Sequence, residues 1–432
     1  VRRPASTHSA AKLPAEDVRI ARIGLDGDGI GAFADGTPVY VPLTLPDELV
    51  RVQPGARRGD GYGGLADAML EPSAERVSPP CPHFGPCGGC TLQHWADGAY
   101  AAWKAGLLTA ALRRAGFADA APAPLVRTPP AARRRMDFAI RRAGALTLGL
   151  HQRRSQAVVD LRDCRVLHPT LQALLAPLRA LLSELAALRQ EGSAVVNLLD
   201  SGPDLLLRTD APLTVDDRAL LAAFAGRHGL PRIAWARETD LPEPAAQLRP
   251  AVTRLAGVVV APPPGAFLQA SAAGEAAIAA AVLAGLPDRL PAKARVTELY
   301  AGCGTLTFAL AKRARVRAIE GDAAAVGCLS RAAGGQPIDV VRRDLARQPL
   351  QPREFAGSAA VVLDPPHAGA AEQMAPLAAS DVRCVIYVSC NPAALERDAR
   401  VLHAAGFRLM AATPIDQFLW SSRLESVSVF LR

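Results

Sequence analysis

Val296-Thr-Glu-Leu299-Tyr300-Ala-Gly302-Cys-Gly304-Thr-Leu-Thr307 decides the fold. Its first third is a short apolar run that reads as a strand. The rest is a glycine turn opening a helix that ends near Lys312. Two glycines let the backbone come close to a bound molecule. Thr307 takes the place of the third glycine of the dinucleotide fingerprint, which argues against NAD. Val316 to Ile319 is the next strand, and Glu320 closes it 18 residues past Gly302. An acid at that distance commonly takes a pair of ribose hydroxyls.

The same alternation runs on to the end of the chain. Strands are expected at Ile338 to Val341 before Asp344, and at Ala359 to Leu363 before Asp364-Pro-Pro-His367. The fifth is Val382 to Val388, then come Gly406 to Thr413 and Glu425 to Leu431. This is the count and order of a class I methyltransferase sheet, with S-adenosylmethionine as cofactor. A generic nucleotide-binding α/β domain would explain the glycines but not the chemistry at the strand ends. The fifth strand runs out into Tyr387-Val-Ser-Cys390-Asn-Pro392, with a helix expected from Ala393 to Ala405. Ligands gather outside the carboxyl ends of such strands, so Cys390 points to a site. Uracil C5 is a poor nucleophile, and a thiolate adding to C6 turns it into an enolate carbon able to attack a methyl sulfonium. That scheme needs an activated cysteine, a base and a donor in line. Cys390 supplies the first, and Glu425 in Ser422-Arg-Leu-Glu425 is the candidate base.

Upstream the reading changes character. From Asp17 to about Ser78 short β-like pieces alternate with Gly/Asp turns, as in a small barrel. Then Cys81-Pro-His-Phe-Gly-Pro-Cys87-Gly-Gly-Cys90 places three thiols in a glycine- and proline-rich loop, and Cys164 follows after a basic stretch. Four thiolates suit tetrahedral zinc or a [4Fe–4S] cluster, and spacing alone does not separate the two. The 432 residues carry a net charge of +8. Residues 81–170 hold 13 Lys/Arg against 5 Asp/Glu, so the whole excess falls in that window. Arg133-Arg-Arg135, Arg141-Arg142 and Arg153-Arg154 alternate there with strand-like pieces and could track a phosphate backbone. An amphipathic helix is expected at Leu92 to Ala115, another at His168 to Leu188, a third at Asp216 to Gly229, and a loop at Arg237 to Pro250. No apolar run approaches the ~18 residues needed to cross a bilayer. Val1 to Ala15 lacks the apolar core of a signal peptide and reads as a flexible lead-in. These features point to the cytoplasm, without a membrane partner, and to a monomer by default. Eight cysteines there serve as ligands, nucleophiles or core fillers.

Taken together, the motifs resemble those of the RNA uridine-5 methyltransferases, in the iron–sulfur branch acting on 23S rRNA. The resemblance covers nearly all of residues 17–432. It rests on Asp26-Gly-Asp-Gly-Ile-Gly-Ala32, similar to a TRAM domain, the four cysteines, Phe267-Leu-Gln269, the Gly302/Gly304 loop, Asp364-Pro-Pro, Ser389-Cys-Asn-Pro392 and Asp416-Gln-Phe418 with Glu425. It implies a multidomain α/β protein: lead-in 1–15, an OB-like TRAM barrel 16–78, a central α+β RNA-binding domain 79–265 with a four-cysteine iron–sulfur site, and a catalytic domain 266–432. A [4Fe–4S] cluster would sit on Cys81, Cys87, Cys90 and Cys164, with zinc the lesser occupant. Donor contacts would fall on Gln269, Tyr300, Thr305, Glu320, Asp344 and Asp364 beside Gly302 and Gly304. Cys390 would be the nucleophile and Glu425 the base.

Four positions depart from the family pattern: Ser271 and Thr305 stand where asparagines are usual, His367 where an arginine is, and Arg423 where a histidine is. None removes a reacting group, and a changed target uridine is compatible with them. The alternatives are the tRNA T-loop uridine and a non-catalytic RNA-binding or assembly protein. An RNA cytosine-5 methyltransferase would carry a second cysteine where Asp364-Pro-Pro-His367 stands. An amino-methyltransferase would leave Cys390 idle.

Overall fold

The structure is a computed structural model that describes residues 14–290 and 294–432. The lead-in read from the sequence lies, but for its last two residues, outside the described residues. The chain divides into two compact units. One is built from residues up to Pro80 together with Cys90–Tyr100 and Trp420–Ser422; the other takes Cys81–Gly89, Ala101–Leu419 and Arg423–Arg432.

In the first unit the opening segment pairs on both sides. Glu16–Arg19 runs antiparallel to Leu49–Arg58, and Arg22–Ile23 runs antiparallel to Gly29–Ala32. Ile20 and Ala21 carry the ladder across the join by donating to Glu48 O and Ile30 O. The sheet therefore closes on itself, which removes its free edges. Val18, Ile20, Val39, Val41, Val50 and Val52 fill the inside. The turn Asp26-Gly27 needs a glycine, since Gly27 sits at φ +77°.

The second unit holds two sheets. The earlier one has seven strands, mostly antiparallel, from Val158–Asp160 at one edge to Glu243–Gln247 at the other. Helix Pro169–Glu184 turns Leu171, Leu174, Leu175, Leu178, Leu181 and Leu182 onto it, one stripe at helical spacing. Helix Val215–His228 starts at a Thr214–Asp217 capping box and stops at Gly229, φ 66°. The expected loop at Arg237 to Pro250 contains the edge strand Glu243–Gln247. Its acid and its Pro244 hid it, and an edge position tolerates both. The first long helix is Asp97–Arg114, shorter than expected, because Trp95 pairs with Arg76 in a β-bridge instead of entering the helix.

The later sheet positions the candidate site. Its strands are β1 (Arg295–Leu299), β2 (Arg315–Glu320), β3 (Ile338–Arg342), β4 (Ser358–Leu363), β5 (Cys384–Ser389), β6 (Arg408–Asp416) and β7 (Glu425–Leu431). They lie in the order β3-β2-β1-β4-β5-β7-β6, and Val126–Arg127 adds a short parallel edge beside β6. β1 to β5 are parallel; β7 is antiparallel to both neighbours. Every residue of β5 is buried, which matches its unbroken apolar reading.

One buried ion pair holds the β6–β7 connection. Lys104, on helix Asp97–Arg114, is wholly buried and its Nζ donates to Asp416 Oδ1 at 2.7 Å. It also donates to the carbonyls of Phe418 and Arg423, closing both ends of the connection. Removing one partner of such a pair strands a buried charge. Lys104→Met is expected to cost about 3–5 kcal/mol in urea unfolding, with a smaller loss for the isosteric Asp416→Asn.

Candidate active site

The site is assembled at the carboxyl ends of β1, β4 and β5 and the amino end of β7. Ser389 is paired with Ser426 across the β5–β7 ladder, and Ser426 Oγ donates to Ser389 O at 3.2 Å. The paired residues end there. Cys390 directly follows β5 and Glu425 opens β7, so the two flank the last pair at the same end of the ladder, and the Glu425 carboxylate is among the groups that raise the thiol. Ser389 Oγ accepts from Asn391 N at 3.1 Å, and Asn391 caps helix Pro392–Ala404 through Ala393 N at 3.0 Å. Pro392 falls at the first helical position, where a missing N–H is harmless. The backbone on either side of Cys390 is thus fixed.

Asp364 follows β4, and its loop is tied down from behind. Asp398 Oδ2 accepts from Tyr387 Oη at 2.6 Å and from Ala370 N at 2.7 Å, all buried. Gln269 Nε2 donates to Asp364 Oδ2 at 3.4 Å. The Phe267–Ala270 segment is clamped by Arg134, which donates to Gln269 O and pairs with Glu275. Phe267 is 68% exposed with the Arg135 guanidinium over its ring.

The glycine turn has the strained backbone that its sequence implies. Tyr300, Gly302 and Gly304 all have positive φ, at 64°, 56° and 101°. A Cβ on Gly304 would meet Phe308 at 2.5 Å, whereas one on Gly302 would meet nothing within 4 Å. The turn is packed beneath and open in front. Glu320 Oε2 accepts from Gly302 N at 2.8 Å, while Oε1 accepts from Gly321 N and Asp322 N. Glu320 therefore shapes the turn itself, apart from any ribose contact. Asp344 is exposed and accepts from Ala346 N and Arg347 N; Thr305 is half-buried in the turn.

Electrostatically this is a pocket of strained acids. Burial, with Asp364 nearby, pushes Glu425 up to about 8. Burial alone takes Asp364 to about 7. Glu298, inside β1 and hydrogen-bonded by Thr307 Oγ1, is pushed to about 8 by burial and by Asp364 and Glu320. Cys390 rises to about 12 through burial and then the carboxylates of Glu425 and Asp364, against a lowering from Arg423. A cation entering beside these acids would favour their ionised forms and that of the thiol. The residues present thus fit a positively charged methyl donor.

The cysteine set is less gathered. Burial raises the thiols of Cys87 and Cys164, and neighbouring thiols add to it, Cys164 and Cys81 at Cys87 and Cys81 at Cys164. His83 Nε2 accepts from Arg162 N at 3.1 Å and ties their two loops. Among the described residues, however, no three Cys, His, Asp or Glu side chains converge as a metal site. Cys90 belongs to the first unit. The basic window is also partly spent on the fold. Arg141 pairs with Glu191, and Arg142 donates to the carbonyls that end helix Pro169–Glu184. Sequence reading missed Lys104, Glu298 and the role of Gln417. A lone lysine amid the apolar stretch of its helix, and an acid inside a buried strand, were the available signals.

The profile of the tRNA (uracil-5-)-methyltransferase family matches residues 341–432, the part carrying Asp364, Cys390 and Glu425. An RNA methyltransferase of Caulobacter vibrioides is 41% identical over 430 residues, covering 96% of this chain and 100% of its own. The 23S rRNA (uracil(1939)-C(5))-methyltransferase RlmD of Pectobacterium atrosepticum is 34% identical, covering 97% and 94%. The chain belongs to the RNA uracil-5 methyltransferase family. Among solved structures, the Pyrococcus abyssi tRNA (uracil-54, C5)-methyltransferase with S-adenosyl-L-homocysteine has a TM-score of 0.70 at 18% identity. It covers 96% of this chain and 100% of its own, a likeness of fold. The enzyme is an RNA methyltransferase with an S-adenosylmethionine-dependent fold. Among the described residues no helix is long and apolar enough to cross a membrane.

The thiol's environment can be read directly. In the free protein, alkylation of the Cys390 peptide by iodoacetamide, followed by mass spectrometry, should be slow at pH 7 and rise steadily to pH 10. Glu425→Gln removes a neighbouring negative charge, but only where Glu425 is ionised. The variant should therefore react faster than the parent above pH 8 and about equally at pH 6.

Proposed function

We propose that the enzyme methylates C5 of a uridine in 23S rRNA through a covalent bond between Cys390 and C6 of the base. The carrying observation is that Cys390 and Glu425 flank the last pair of the β5–β7 ladder, with the Glu425 and Asp364 carboxylates both acting on the thiol. S-Adenosylmethionine supplies an electrophilic methyl group on a sulfonium. The Cys390 thiolate adds to C6 and makes C5 nucleophilic; after methylation Glu425 takes the C5 proton and the thiolate leaves. The uridine must leave its stack to reach these residues. Gln269, Tyr300, Thr305, Glu320, Asp344 and Asp364 hold the donor, with Gly302 and Gly304 giving it room. The 23S rRNA target is supported by similarity to RlmD along nearly the whole chain. A tRNA uridine is the second reading, favoured by what the family profile and the Pyrococcus relative are named for.

The barrel is read as a TRAM module that engages RNA, and residues 79–265 as the central RNA-binding part. Cys81, Cys87, Cys90 and Cys164 are read as ligands of a [4Fe–4S] cluster with a structural role, and no step of the reaction passes through it. We read the enzyme as a cytoplasmic monomer.

Label from methyl-labelled S-adenosylmethionine should enter 23S rRNA transcripts, with loss of tritium from C5-tritiated uridine, and Cys390→Ala should abolish both. Transcripts containing 5-fluorouridine should trap a denaturation-resistant adduct that Cys390→Ala lacks. Labelling of tRNA but not rRNA would move the reading to the T-loop. An anaerobic preparation should be brown with about four iron and four sulfide per chain, and colourless zinc-loaded protein would overturn the cluster.

A further inference from the structure

Gln417 stands in the middle of the site, and no step of the proposed reaction uses it. It is 5% exposed and directly follows β6. Its Nε2 donates to Glu425 Oε2 at 2.8 Å and to Gln269 Oε1 at 2.8 Å. Gln269 in turn aims its own amide nitrogen at Asp364 Oδ2. Carboxyl, amide, amide and carboxyl thus stand in one file, and Gln417 gives both of its amide hydrogens to it. In this orientation Gln417 serves an ionised Glu425 and the Gln269 carbonyl at once, whereas a flipped amide would set its oxygen against both. Space fixes the side chain as well. A Cβ on Gly274, in the first turn of helix Ala272–Ala284, would lie 2.7 Å from Gln417 Oε1 and 2.8 Å from its Cβ.

Two oxygens of this file are buried and have no hydrogen-bond partner among the described residues, Gln417 Oε1 and Glu425 Oε1. The second is informative. With Oε2 held by Gln417, Oε1 is the oxygen on which Glu425 can take a proton without losing a hydrogen bond. We infer that Gln417 is a positioning residue for the base: its grip on Glu425 Oε2 reserves Oε1 for the C5 proton, and its grip on Gln269 fixes the amide beside Asp364. The inference rests on the uridine-C5 reading above. The step concerned is the last one. The C5–H bond breaks, the proton passes to Glu425 Oε1, its electron pair forms the C5–C6 double bond, and the C6–S bond breaks to return the Cys390 thiolate.

A group acting only through Glu425 should slow that step and spare the methyl transfer before it. Asp364 acts on Glu425 and Glu425 on Cys390; Arg423, two residues before Glu425, acts on Cys390, and Asp416, paired with Lys104, follows the ladder partner Ile415. The hydrogen bond from Gln417 also holds Glu425 below the value that burial and Asp364 would set, so its loss should raise the pH at which the base becomes ionised.

The test uses the full chain, RNA with C5-tritiated uridine, and 14C-methyl S-adenosylmethionine. Gln417→Met keeps the length and removes the donors; Glu425→Gln is the comparator. Tritium release by Gln417→Met should fall about 10-fold or more, while 14C-methylated protein–RNA adduct builds up on denaturing gels as it does with Glu425→Gln. The rising limb of its release–pH profile should move to higher pH. If Gln417→Met melts without cooperativity, Gln417→Asn replaces it, since the shorter amide cannot span both acceptors. A folded variant that releases tritium at the parental rate would overturn the inference. So would one that loses methylation and release in parallel without adduct, a merely structural effect. If the unsubstituted protein releases no tritium, the uridine-C5 reading fails first and carries this inference with it.

Discussion

The site depends on one antiparallel register. β5 and β7 are paired so that Ser389 meets Ser426, and the residues flanking that last pair are Cys390 and Glu425. A slip of one residue would turn every β7 side chain to the opposite face and carry Glu425 away. Three features resist such a slip. β5 is buried along its whole length, β6 shoulders β7 on its far side, and Lys104 fastens both ends of the connection that sets where β7 begins. The helix bearing Lys104 is remote in sequence, so the long-range fold supplies a constraint that local propensity cannot.

The electrostatics follow from the same placement. Glu298, Asp364 and Glu425 lie at or near the ends of β1, β4 and β7, where burial opposes ionisation and Asp364 adds to it at Glu298 and Glu425. Each buried carboxyl is a cost to folding unless something compensates it. Thr307 answers Glu298 and the two glutamine amides answer Asp364 and Glu425. What remains is a poised excess of negative potential, and perturbed groups of this kind cluster where chemistry is done. A sulfonium is the complementary charge. A cation beside them would favour the ionised acids, while each carboxylate so formed opposes ionisation of the Cys390 thiol.

Much of this was legible in the sequence because strand ends and glycine turns are local signals. The strands β1 to β7, the positive-φ turn at Gly302 and Gly304, and the cap after Cys390 all follow from short patterns. The edge strand Glu243–Gln247 escaped because edge strands tolerate the charges and prolines that mark loops. Trp95 was drawn into a helix by its apolar period, and a β-bridge with Arg76 claimed it. Lys104 and Gln417 were visible as letters and silent in function. Their partners are set by tertiary contacts, 312 residues away for Lys104 and 148 for the Gln417–Gln269 bond.

Charge was where linear reading misled most. Counted along the chain, residues 81–170 hold the entire excess. Folding brings in acids from outside that window: Asp416 to Lys104, Glu396 to Arg114, Glu275 to Arg134 and Glu191 to Arg141. In return, Asp160 is offset by an outside base, Arg179. The positive surface offered to a polyanion is therefore weaker than the window's sum, because an arginine already paired with a carboxylate neutralises less phosphate charge and so displaces fewer of the polyanion's counterions. On the proposed reaction, the choice of one uridine rests on contacts to the base, since phosphate contacts carry no sequence information.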